Sequence, residues 1–423
     1  MTDRREPRRI GHIAAHMGGG VGQALAHLIR HDSTSRHEII TIEQTKNRHM
    51  VDAIEALNVP VRQFAEIDDV GAELSKFDIV QVEYWNNPLL YMGLSQLEGV
   101  KTRWVAWCHI SGRGSPAIPE NLPDAFHACA VSTPHSLEQI HGDNVHFVPS
   151  AAGLSKPEIK GYSARSIDGL YLGTLSPAKI HPDYVHFLAN FIKAGHANNI
   201  IAGEVSADCG LPQQIAAEGL SDAVAMPGHV TDVQTLFQDA RYFLYILNPN
   251  HYGTSENALI EAMSAGVVPI ILNNPVETHL VPQDGAYVIR SPEDLAGLAA
   301  NLADTSRWRE MSNACLRHIE ENYQPDRTAK GFEIVYDGAM KHPPRPFPFS
   351  ETFGGTPREW FLSTRADKDQ WCESYLSDLM ERGDYAVTAA SKGSLAHFLG
   401  SFPEDPVLQS WTHCVGRENH RYD

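Results

Sequence analysis

The sequence predicts an α/β protein built as two successive units of parallel sheet and helix, with a mainly helical C-terminal extension. Three observations carry that prediction. Short β-branched runs alternate with amphipathic stretches from the first residues, the alternation starts afresh near residue 160, and a proline-dense segment follows it at 341–357. Strands separated by helices of about 10–15 residues argue for βαβ units and a parallel sheet.

In the first unit, expected over 1–155, the strands are RIGHIAA (9–15), EIITIE (38–43), FDIVQVE (77–83), RWVAWC (103–108), ACAVS (128–132) and VHFVPS (145–150). Amphipathic stretches such as VGQALAHLIRH (21–31) and TPHSLEQIH (133–141) supply the helices. The second unit, expected over 156–340, has the strands DGLYLG (168–173), NIIAG (199–203), AVAMPG (223–228), RYFLYIL (241–247), VVPIIL (267–272) and AYVI (286–289). Its helices include PDYVHFLANFIKAG (182–195) and VQTLFQDA (233–240). The join, SKPEIKGYSA (155–164), is polar and carries Pro157 and Gly161.

The third section, 341–423, opens on KHPPRPFPFSETFGGTP, whose five prolines and two glycines exclude a helix and suggest a linker or a strapped-on loop. Beyond it, PREWFLSTRADKDQWCESYLSDLMERGDY reads as helical. Trp360, Trp371, Phe398, Phe402 and Trp411 are candidate anchors for a protein partner docking on 345–423, or for packing against the second unit.

Composition bounds the function. The chain has 423 residues, 42% of them hydrophobic and 20% charged, and a formal net charge of −18. That balance lacks the basic footprint of a nucleic-acid binder. The first apolar stretch, IGHIAAHM, is broken by histidines and too short for a signal-peptide core, and no run approaches the ~18 residues of a membrane span. A cytoplasmic protein is expected, with peripheral association at the inner membrane face left open. The six cysteines contain no CxxC pair, so free thiols are expected and a structural zinc site is not.

Four motifs could carry chemistry. HMGGGVGQALAHL (16–28) ends a strand, turns on three glycines and starts a helix, which allows close approach of an anion to free N–H groups. It is not the GxGxxG of a nicotinamide site. AWCHISGRGSP (106–116) puts His109 just past a strand end, where open parallel sheets place ligands. LGTLSPAKIHP (172–182) brings Lys179 beside a helix start. NHYGTSENALIEAMSAG (250–266) sets Glu256 and Glu261 about a turn and a half apart on a helix, with Gly253, Thr254 and Ser255 supplying N–H groups and a cap. Its AMSAG end is small on every face.

Together these residues resemble the nucleotide-sugar glycosyltransferases of the GT-B fold, in particular the large retaining group called family 4. The resemblance covers roughly 10–330 and rests on MGGGVG, FDIVQVE, VSTPHSLEQI, LGTLSPAK, IIAGE, MPGHV and EAMSAGVVPII in that order. It implies two Rossmann-like domains facing across a cleft, with the nucleotide mainly on the second and the acceptor mainly on the first. The implied reaction moves a sugar from a nucleotide diphosphate to a glycan or lipid-linked acceptor, with retention and without a metal or other cofactor.

By position, Gly19 and Gly20 would approach the diphosphate or sugar and His109 would close over the donor sugar. Lys179 would contact the diphosphate and Glu261 would bind the ribose. The backbone near Val230 would read the base. Ser255 and Asn257 join the donor-binding set. The family's arginine is replaced by Thr174 and its first motif glutamate by Gly253. Glu256 or His251 then stands in for that glutamate as a catalytic candidate, or the sugar is held differently. A cation such as Arg165 could replace the arginine. The resemblance points to surface-polysaccharide or lipopolysaccharide synthesis. An epimerase or phosphorylase on the same fold, or a non-catalytic sugar-nucleotide-binding or scaffold protein, are the other readings.

Overall fold

The computed structural model describes residues 6–411 apart from 46–47, 114–115, 151–156, 208, 372–374, 377 and 380–392. The chain divides into two compact units. The first holds Met1–Ala152, Tyr252–Thr254 and Pro325–Asp423, and the second Gly153–His251 and Ser255–Gln324. Part of the expected join at 155–164 lies outside the described residues, as do Cys372, Cys414 and much of the expected helical run at 357–385.

The first unit contains β1 (Arg8–Ala14), β2 (Ser35–Thr41), β3 (Val61–Gln63), β4 (Ile79–Tyr84), β5 (Lys101–Thr102), β6 (Trp104–Cys108), β7 (Ala128–Val131) and β8 (Val145–Phe147). Seven of them form a sheet in the order β3-β2-β1-β4-β6-β7-β8, every pairing parallel. β4 and β6 are buried along their whole length because both faces of the sheet are covered. One face carries the helix Gly19–His31, through Leu25, Leu28 and Ile29, and the helix Arg327–Met340, through Phe332, Val335 and Tyr336. The expected bounds of the second unit, 156–340, take this helix in, but the chain crosses back, as the resemblance allows for 326–341, and the helix belongs to the first unit. Its apolar stripe fits this sheet, with Phe332 edge-on to Trp107 at 4.6 Å.

The other face is covered by the C-terminal section. The proline-dense segment is neither a free linker nor wholly non-helical. Arg345–Pro346 (β15) pairs antiparallel with β5, and Phe347 stacks on Trp104 at 4.4 Å. After Pro348 the chain makes the short helix Phe349–Phe353. Trp360, Phe361, Trp371, Phe398 and Trp411 are buried in the same core, and Phe402 packs edge-on to Trp360. The five aromatics expected to anchor a partner or the second unit are therefore used within the first unit. TPHSLEQIH also differs, forming only a 3-10 turn over Pro134–Glu138, capped by Thr133.

The second unit contains β9 (Ile167–Leu172), β10 (Asn199–Ala202), β11 (Val224–Gly228), β12 (Ala240–Tyr245), β13 (Val268–Leu272) and β14 (Tyr287–Ile289). They form a parallel sheet in the order β11-β10-β9-β12-β13-β14. The strand order reverses between β9 and β12 here, and between β1 and β4 in the first unit. Ligands of open α/β sheets bind beyond the carboxyl ends of strands at such points. Both units are thus Rossmann-like, as expected. Cys108, Cys129 and Cys315 are free and buried, and Cys209 is half-buried. Among the described residues, no helix is long and apolar enough to cross a membrane.

Candidate functional site

Each unit gathers polar side chains at the carboxyl ends of its central strands. In the second unit, β9 leads through Gly173 and Thr174 to Lys179, and β12 ends on Tyr245. The helix Asn257–Ser264 follows, with Glu256 as its N-cap. Glu256 has φ +38°, a left-handed conformation rare outside glycine, and makes no side-chain cap. The N-cap position thus falls on Glu256 rather than on Ser255. The Glu256 carboxylate turns instead to Lys179, whose Nζ donates at 2.6 Å, and to the Tyr245 hydroxyl, which also donates to it. The Lys179 ammonium lies 5.6 Å above the Tyr245 ring.

Two further residues complete the cluster: His251, weighed in the sequence as a stand-in for the missing glutamate, and Glu277, which the sequence did not single out. His251 Nε2 bonds Glu277 Oε1 at 2.7 Å, and its Nδ1 lies 3.5 Å from Glu256 Oε1. Burial alone would raise the Glu256 carboxyl, but Lys179, His251 and the Tyr245 hydroxyl outweigh it and hold it below the ordinary range. Burial pushes Glu277 up, and His251 offsets only part of that. His251, Glu256 and Glu277 each offer one donor atom within 4.8 Å of the others. One imidazole and two carboxylates suit a divalent cation. In this arrangement Lys179 donates to Glu256 and the His251 ring bonds Glu277.

Glu261 stands apart from that cluster, five residues along the same helix. Burial pushes its carboxyl up to about 8. Val230 is half-buried in the loop after β11. Arg165 does not replace the missing arginine. Its guanidinium donates to the carbonyls of Lys160, Phe237, Ala240 and Ala265 and packs over Trp308, so it ties the unit together from within.

In the first unit, the turn after β1 separates two kinds of glycine. A Cβ on Gly22 would lie 2.1 Å from the Met17 carbonyl oxygen, so Gly22 is required by packing. A Cβ on Gly19 or Gly20 would meet nothing within 4 Å. Space is left there at the N-terminus of a 13-residue helix whose N-cap, Gly18, supplies no side chain. His109 follows β6 directly, and its Nε2 bonds Glu83 Oε2 at 2.8 Å. Glu83 is fully buried in β4. A glutamate and a glutamine inside an otherwise apolar strand, QVE at 81–83, were the sequence signal for this partner.

Residues 168–305, most of the second unit, match the family profile described as "Glycosyl transferases group 1". No curated protein matches the sequence. Among solved structures, the chain resembles Alr3699/HepE of Anabaena in complex with UDP, at 13% identity and TM-score 0.61 over 78% of this chain and 99% of that one. It resembles TarM at 10% identity and TM-score 0.62, over 79% of this chain and 100% of the other. It also resembles the sucrose-phosphate synthase tll1590 of Thermosynechococcus elongatus at 14% identity and TM-score 0.56, over 78% and 98%. At such identities the likeness is one of fold. This chain shares with those proteins a fold of two Rossmann-like units, and its own C-terminal section adds a mainly helical part.

Proposed function

We propose that this protein is a retaining glycosyltransferase of the family-4 type, moving a sugar from a nucleotide diphosphate to a glycan or lipid-linked acceptor in surface-polysaccharide assembly. The observation that carries the reading is the Lys179–Glu256 pair at the strand-order reversal of the second unit, inside the segment that matches the glycosyltransferase profile. The second unit holds the nucleotide, with Glu261 on the ribose hydroxyls and the backbone near Val230 beside the base. Lys179 and the helix N-terminus at Ser255–Asn257 face the diphosphate. The first unit, through His109 and the turn at Gly19 and Gly20, serves the sugar and acceptor.

In the transfer, the bond from sugar C1 to the diphosphate breaks and its electron pair leaves with the diphosphate. The acceptor oxygen bonds C1 on the same face, and the hydroxyl proton passes to the diphosphate. Charge develops on the leaving group, so a cation and oriented N–H groups stabilise it where it forms. Glu256 takes the role of the absent first motif glutamate, and Tyr245 and His251 hold it. No metal takes part.

The test is calorimetric titration with UDP, GDP, TDP and ADP without metal. Micromolar binding of one nucleotide is expected, weakened at least tenfold in Lys179→Ala and unchanged by added magnesium or EDTA. UDP is the first to try, because a structural neighbour binds it. The anomeric configuration of the product, read by NMR, tests retention. Binding without turnover across a broad acceptor panel would favour a non-catalytic sugar-nucleotide binder. That second reading draws on Lys179 being already paired with Glu256.

A further inference from the structure

Behind His109 runs a chain of buried polar side chains that the reading above does not use. Glu83 Oε2 meets His109 Nε2 at 2.8 Å, and Glu83 Oε1 meets His12 Nδ1 at 2.9 Å. His12 Nε2 meets His37 Nδ1 at 2.9 Å, and His37 Nε2 lies 3.2 Å from Asp32 Oδ2. The His12 and Glu83 side chains are 0% exposed. Gln81 Nε2 donates to Glu83 Oε1 at 2.7 Å, and Gln81 Oε1 accepts from the Tyr336 hydroxyl. Asp32 Oδ1 accepts from the Thr34 backbone and hydroxyl. Arg8 and Tyr336 are the other titratable groups facing the chain, and Arg8 pairs with Asp337.

Proton counting constrains this arrangement. Three hydrogen bonds join the three imidazoles to one another and to Glu83. With Glu83 ionised, each needs one proton, since otherwise two lone pairs face each other at 2.9 Å or less. Three neutral rings carry three protons, one each, and these fill the links in one way: His109 protonated on Nε2, His12 on Nδ1 and His37 on Nδ1. His109 uses Nε2 alone, which leaves its Nδ1 as an acceptor. Burial would raise Glu83, but its bonds to His109 and His12 hold the carboxyl at about 2, in keeping with an ionised group. Burial also lowers His37, in keeping with a neutral ring.

We propose that Glu83 is a positioning residue for His109: it holds the ring as the neutral Nε2–H tautomer, with Nδ1 presented as an acceptor for a sugar hydroxyl, while the buried rings of His12 and His37 fix the Glu83 carboxylate from behind. A carboxylate that fixes an imidazole's tautomer and orientation is an established device for making one ring nitrogen reliably available. The identity of the hydroxyl rests on the glycosyltransferase reading. The tautomer does not.

Nitrogen-15 imidazole NMR on the ligand-free wild-type protein between pH 6 and 9 reads the tautomers. The neutral His109 ring is expected as Nε2–H, and His12 and His37 each as Nδ1–H. His109 as Nδ1–H overturns the proposal. In Glu83→Gln, kcat is expected to fall about 10- to 100-fold with donor KM nearly unchanged, and Glu83→Asp to recover part of it. A folded Glu83→Gln protein with unchanged kcat also overturns it, and if that variant does not fold the wild-type spectrum decides. Failure to bind any nucleotide would sink the glycosyltransferase reading while leaving the spectrum interpretable.

Discussion

Glu261 and Glu256 show at the residue scale how one helix can hold two carboxyls in opposite states. Glu256 is held ionised by Lys179, whereas burial lifts Glu261 from 4.5 to about 8. A carboxyl raised on folding keeps its proton in the folded chain at pH values where the unfolded chain has lost it. Its effect on stability is therefore absent below about 4.5. Stability then falls as pH rises towards about 8, by up to ~1.4 kcal/mol per pH unit, and levels off above that. Denaturant unfolding followed from pH 4 to 9 should show this fall in the wild type and a shallower one in Glu261→Gln. A ribose diol donating to Glu261 favours the ionised form. Nucleotide affinity should then rise between pH 6 and 8 in the wild type and stay flat in Glu261→Gln, while equal pH slopes would remove Glu261 from the ribose site.

At the scale of elements, the ends of β9, β10 and β11 are closed by glycine. Gly203 has φ +145°, and a Cβ there would lie 1.8 Å from the Gly173 carbonyl oxygen. That backbone contact brings the Thr174 turn against the end of β10 and fixes the stretch that leads to Lys179. Gly203→Ala must therefore move backbone rather than a side chain. A loss of about 3 kcal/mol is expected, at the upper end for overpacking, read as a lowered midpoint in urea. Gly20→Ala, which meets no atom, is the matched control and should unfold within about 0.5 kcal/mol of wild type. Legibility follows the same contrast. MGGGVG reads as three equivalent glycines with a fourth beyond them, and only the three-dimensional surroundings separate Gly22, which packing requires, from Gly19 and Gly20, which it does not.

Across the whole molecule, the C-terminal section is part of the first unit's core rather than an appendage. Phe347, Phe353, Trp360, Phe361, Trp371, Phe398 and Trp411 lie in one cluster with Tyr84, Tyr91 and Trp104 of the sheet side. Removing a single buried Phe or Trp side chain typically loses about 3–5 kcal/mol, against a total stability of about 5–15 kcal/mol for a domain. A chain ending at residue 340 is thus expected to lose the first unit's cooperative melting transition and to expose apolar surface that binds a hydrophobic dye. An unchanged melting curve would show that the section packs passively on a core already complete without it.

The sequence by itself determined the strands and their grouping. β6 and β13 are continuous apolar runs, because a parallel sheet covered on both faces asks for apolar residues at every position. It also placed His109, Lys179 and Glu256 at strand and helix ends, since glycine turns and helix starts are local features. Three-residue β3 was too short to show a period, and the 3-10 turn at Pro134–Glu138 differs from a helix only in its length. Partnership was what the tertiary structure alone decided. Lys179 and Glu256 are 77 residues apart, and His12 and Glu83 are 71 apart. Nothing local says that one buried charge will be met by the other. Arg165 is the same case in reverse: a cation that reads as available is occupied by four carbonyls, three of them from distant segments. A buried polar group must be satisfied somewhere, but where its partner comes from is settled by how the sheets and helices pack.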